Sequence, residues 1–170
     1  SMECSAEEII AMLLYQVSAL EGMAKAQGIK LEYVKPHGAL YNDMMAKPDV
    51  RQAIMQAMAA HHSPPVLMMQ ATRDAEAHRK EAEAFGLQLW FEAFADRRYA
   101  DDGSLLSRSQ AGSVLDHEAM LVQAEQLVAE GAVTTVSGQM LELEIDTLCV
   151  HGDNSHAVKG IRELRRIVQG

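Results

Sequence analysis

Two cysteines are all the chain has, Cys4 and Cys149, far apart and with no CxxC neighbour. That excludes a disulfide framework and a thiolate zinc site. A single bridge between them stays possible. With no export signal in view, though, two thiols read as reduced and the expected location is cytoplasmic. The N-terminus, SMECSAEE, is acidic and polar where a leader would be basic and then apolar. No uninterrupted apolar run approaches the ~20 residues of a membrane helix, so no membrane is expected as a partner. Positive charge is short too: 15 Lys and Arg against 24 Asp and Glu leave a net −9. Such a surface cannot displace counterions from nucleic acid, which removes that partner class as well. Three catalytic signatures are missing from the sequence. Without GxxxxGK[ST] there is no P-loop, without GxSxG no hydrolase elbow, and without HExxH no zincin helix.

What is present suits one globular domain spanning 1–170. Hydrophobic residues make up 48% and charged residues 23%, enough to build a core. Ser5 and Glu8 form an S-x-x-E capping box before Ile9, Met12, Leu13, Val17, Leu20 and Met23, one face of a helix ending near Gly28. LEYVK reads as a strand. Pro48 opens a second helix carrying Val50, Ile54, Met55 and Met58 to about His61. VLMM is a second strand, 72–85 a polar helix stopped by Gly86, and LQLWFEAF a third strand. A loop of about twenty residues, ADRRYADDGSLLSRSQAGSVL, precedes a helix from Asp116 to Glu130 with Gly131 as its stop; loops this long are usually functional or mobile. AVTTV and MLELEI flank Ser137-Gly138 as a hairpin. TLCV is a buried strand with Cys149 as a small core residue. The last helix is capped near Asn154 or Ser155, with Val158, Ile161, Leu164 and Ile167 on one face. This alternation predicts an α/β fold with a parallel sheet whose ligands sit at the carboxyl ends of the strands.

Those strand ends carry the polar chemistry. Lys35, His37, Tyr41 and Asn42 follow the first strand, in VKPHGALYN. Gln70, Thr72, Arg73 and Asp74 follow the second. Glu92, Asp96, Arg97, Arg98 and Tyr99 follow the third, and His151, Asp153 and Asn154 the last. Imidazoles, carboxylates and cations on one face make a catalytic or anion-binding composition. Each has a plainer reading: His37 as a turn histidine, Glu92 as a surface carboxylate, Arg97-Arg98 as a solvated pair. HGDN also suits a helix N-terminus, which binds anions. An inward Glu92 beside Trp90 and Phe91 would suit a general acid or base. His61, His62, His78, His117 and His156 read as surface residues.

VKPHGALYN, EAFADRRYADDGSLLSRSQAG and LCVHGDNSHAV together resemble the LamB/YcsF family, in the same order along all 170 residues. The likeness is to the family's C-terminal two thirds, and LMMQATRD departs from the glycine-rich turn usual there. It implies a distorted seven-strand (β/α) barrel, similar to polysaccharide deacetylase-like barrels, here lacking the first strands. An open barrel edge would favour homo-oligomers. The family's bacterial members are the A components of 5-oxoprolinase, hydrolases acting on a cyclic amide C–N bond. With the B and C subunits they open 5-oxo-L-proline to L-glutamate at the expense of ATP. Carried over, Lys35 and His37 would polarise the lactam or act as base, and Glu92 or Asp96 would be the acid/base carboxylate. Arg97 would hold an anion, with Tyr41, Asn42, His151, Asp153 and Asn154 completing the wall. ATP would be shared with the partner subunits. Two rival readings stand beside this one. The first is a metal-dependent amide or N-acetyl hydrolase with His37, His151 and Asp153 as ligands. The second is a non-catalytic module that binds subunits.

Overall fold

A computed structural model describes the backbone at residues 3–153 and 155–170 and the side chains at 3–153 and 158–170. The chain divides into two compact units: up to Gln70 together with Glu76–Trp90, and Ala71–Ala75 together with Phe91–Gly170.

In the first unit, α1 (Ala6–Ala26) starts from the capping box the sequence announces. The Ser5 hydroxyl accepts from the Glu8 N–H at 3.2 Å, and the Glu8 carboxylate accepts from the Ser5 N–H at 2.7 Å. Ile9, Leu13 and Val17 are buried, and α1 packs on α3 (Pro48–Ala59). The expected stripe is shorter than the sequence suggests, because Leu20 and Met23 are exposed, as is Tyr15. α1 also bears on the membrane reading. Uninterrupted runs are short, but its most apolar 18-residue window has a mean hydropathy of 1.2. By length and composition alone it could cross a membrane.

β1 is only Tyr33–Val34 and pairs in parallel with β2 (Val66–Gln70), Tyr33 opposite Val66. The segment after β1 is not all loop. Gly38, at φ 63°, turns the chain into an unexpected helix, α2 (Ala39–Ala46), which buries Tyr41 and Met44. Pro48 begins α3 as expected. Arg51 is buried on α3 yet satisfied: it donates to Glu81 Oε2 at 2.6 Å and to the Met44 carbonyl at 3.1 Å. α4 (Ala75–Glu83) is shorter than the expected 72–85, since Thr72 first accepts the Asp74 N–H in a turn. His78 and His61 are not surface residues. His78 is buried beside Glu81, and the His61 side chain is 6% exposed, 3.7 Å from Glu21.

In the second unit the end of β3 (Leu89–Phe94) pairs in parallel with β6 (Thr147–Cys149). Glu92 faces Thr147, Ala93 faces Leu148 and Phe94 faces Cys149. The long loop folds back on itself. Arg97 bridges Val114, Tyr99 bridges Leu105, and the Leu115 N–H donates to the Asp96 carbonyl at 3.0 Å. Asp116 caps α5 (His117–Glu130) by accepting the Ala119 N–H, and Gly131 ends it in the left-handed region, as expected. β4 (Ala132–Thr134) and β5 (Met140–Glu142) form the expected antiparallel hairpin. Asp101 ties the loop to it by accepting from the hydroxyls of Thr135 and Ser137.

α6 (Ser155–Gln169) packs on α5 with the C-terminal part of the expected face. Leu164 is buried and Ile167 packs on a core of Ala95, Leu115, Met120 and Ala124, whereas Val158 and Ile161 are half exposed. Gly160 lies at the contact with α5: a Cβ there would lie 2.7 Å from the Met120 methyl and 3.1 Å from the His117 ring, so a larger residue requires those side chains to shift. Cys149 is half-buried and in no disulfide.

Candidate functional site

The β3–β6 register sets the site. Phe94 lies opposite Cys149, and the Ala95 N–H continues the ladder to the Cys149 carbonyl at 3.0 Å. Counting two residues past this pair on each strand gives Asp96 and His151. The fully buried Asp96 carboxylate accepts the His151 backbone N–H at 3.0 Å. Its oxygens also lie 3.0 and 3.2 Å from His151 Nδ1. A carboxylate can only accept, so Nδ1 carries the proton and Nε2 presents its lone pair. The ring stacks on Phe94, centroids 5.5 Å apart at 14°, while its side chain stays 27% exposed. A partly exposed imidazole oriented by a buried carboxylate can take a proton from water or return one to a leaving group.

Arg97 follows Asp96 on the same turn. It is 7% exposed, donates to the Leu106 carbonyl at 2.6 Å, and has a buried Nε with no hydrogen-bond partner. Burial lowers its pKa most, and the like charge of Arg108 adds to this. A buried guanidinium with an unused N–H is suited to an anion. Arg108, from the tip of the long loop, donates to Asp153 Oδ2 at 2.6 Å. That bond is the main reason the Asp153 carboxyl sits below the usual carboxylate range. Glu92 is buried, as an inward strand carboxylate. Tyr99 is buried too; its hydroxyl accepts the Phe94 N–H at 2.8 Å, and burial pushes its phenol up.

The second unit therefore holds Glu92, Asp96, Arg97, His151 and Asp153, and joins Asp96 to His151 directly. The first unit holds Lys35, His37, Tyr41 and Asn42. There the Lys35 amine lies 5.6 Å from the ring centroid of the buried Tyr41, with His37 and Asn42 exposed. Asn154 lies outside the described residues, as does the side chain of His156. Arg108 was not legible as a site residue: it sits in a polar loop with no periodic signal. Among the described residues no three His, Cys, Asp or Glu side chains are grouped to hold a metal ion.

Against known proteins, the sequence model of the LamB/YcsF family matches residues 1–170. The chain belongs to the LamB/YcsF family. Two similar family members carry the name of the A component of 5-oxoprolinase. The one from Chromohalobacter salexigens is 45% identical over 171 residues, covering 100% of this chain and 68% of its own length. The one from Pseudomonas fluorescens Pf-5 is 47% identical over 166 residues, covering 97% and 66%. The crystal structure of a lactam utilization protein from Thermus thermophilus superposes with a TM-score of 0.86 at 34% identity. It covers 98% of this chain and 66% of that one. The α/β fold is thus that of a family member, and this chain spans about two thirds of these relatives' length.

Proposed function

We propose that this chain acts within a 5-oxoprolinase, opening the lactam 5-oxo-L-proline to L-glutamate together with partner subunits and ATP. The observation that carries the reading is the Asp96–His151 pair, in a family member whose relatives are named for that enzyme. Ring opening forms a bond from water oxygen to the lactam carbonyl carbon, breaks the C–N bond, and delivers a proton to the departing nitrogen. His151 Nε2 takes the proton from water and passes it to nitrogen, while Asp96 stabilises the imidazolium between the two transfers. Arg97 pairs with the substrate carboxylate through its unused N–H. Glu92, buried on the strand that leads to Asp96, is a second acid/base group. ATP is shared with the B and C subunits; with no P-loop in the sequence, any nucleotide contact is a non-Walker one or belongs to those partners.

The test is reconstitution. Full-length protein combined with its partner subunits and ATP is expected to convert 5-oxoproline to glutamate, and omission of this protein to abolish conversion. Turnover by the partners alone would overturn the assignment. So would stoichiometric zinc in active protein, with activity lost on its removal.

A further inference from the structure

We propose that Gln123 of α5 is a positioning residue for the Asp96–His151 pair. Its place on the helix is anomalous for packing alone. Met120, Ala124 and Leu127 are buried on α5, and Gln123 is buried among them with 8% exposure. An amide in that stripe is costly unless it is bonded. It is bonded to one object, the turn that leaves β3. The Gln123 side-chain nitrogen lies 2.8 Å from the Phe94 carbonyl oxygen, 3.1 Å from that of Ala95 and 2.8 Å from that of Arg97. An amide has two hydrogens, so one is shared between two of these acceptors.

The three carbonyls bracket Asp96. Its own carbonyl accepts the Leu115 N–H at 3.0 Å, so the residue is held from the α5 side and from the returning loop at once. With the backbone held there, the carboxylate reaches the His151 N–H and Nδ1. A leucine or methionine at 123 would serve α5 equally well as a core residue. The donor is needed by the turn. Gln123 therefore sets the imidazole tautomer through Asp96 without touching it.

This inference rests on the reading of the pair as the proton-transfer group, so the test separates the two. The primary readout is independent of turnover: the 15N shifts of the His151 ring nitrogens in histidine-labelled full-length protein, assigned with His151→Gln. In wild type the Nδ1–H tautomer dominates. In Gln123→Met, three carbonyls lose their donor, the turn relaxes, and both nitrogens move toward the average of the two tautomers. In the reconstituted enzyme the same variant lowers kcat about 10- to 100-fold, the size typical of losing an orienting partner, with KM little changed. Gln123→Lys, which retains donors at similar reach, keeps the wild-type ring signature. It also serves should the methionine variant fail to fold. A folded Gln123→Met with wild-type ring nitrogens and kcat overturns the proposal, as does a folded Gln123→Lys that has lost the signature. If wild type itself fails to turn over 5-oxoproline, the functional reading falls while the ring comparison still decides the positioning role.

Discussion

Asp96 shows how a buried charge is made tolerable and then useful. Removing a carboxylate from water costs several kcal/mol unless its lone pairs find donors. Here a backbone N–H and an imidazole N–H supply them. Around it, exposed carboxylates are tuned by single bonds. Asp153 is lowered first by Arg108, and Asp101 by Thr135 and then Ser137. A carboxyl whose pKa is lowered in the folded state contributes stability above its unfolded value, and that contribution is lost as pH falls through the folded one. Arg108→Ala is therefore expected to raise the Asp153 pKa toward the ordinary aspartate range. It should also reduce the Asp153 contribution that is lost on acidification. A carboxyl 13C titration checks this; an unmoved Asp153 would show that Arg108 does not hold it. Thr135→Val is expected to do the same for Asp101 and to loosen the loop from the hairpin.

Local signals placed some elements to the residue and left others unseen. α5 was legible because an aspartate cap and a glycine stop are short-range devices. Asp116→Ala should cost about 1 kcal/mol, the usual worth of such a cap, read by denaturant melts with an unchanged m-value. α2 was not legible: after Pro36-His37-Gly38, two turns with only Tyr41 and Met44 buried give too short a stripe to distinguish from a turn. The α6 face was legible only in part: periodicity counts Val158, Ile161, Leu164 and Ile167 alike, but only Leu164 and Ile167 reach the core, while Gly160 meets Met120 and the His117 ring. Gly160→Val should thus be destabilising by ~1–3 kcal/mol, since the added atoms collide with Met120 and the His117 ring. An unchanged Tm would place the helix contact elsewhere. Within the site, the strand-end positions of Asp96 and His151 were legible, but their bond was not. It depends on the β3–β6 register across 55 residues of sequence, which no local pattern encodes. Gln123 was invisible for a similar reason, since a lone glutamine on an apolar face gives no sign of what it meets.

For the molecule as a whole, the family was legible in three long motifs, and the structural match at a TM-score of 0.86 agrees with it. The chain spans about two thirds of these relatives' length, and the activity proposed for it is that of an assembly with partner subunits. The decisive measurement is the rate at which that assembly forms glutamate from 5-oxoproline when His151 is changed to Gln or Asp96 to Asn. The account predicts folded variants with kcat reduced by about 10²- to 10⁴-fold, the contribution of a positioned proton-transfer group. Wild-type turnover by either folded variant would contradict it.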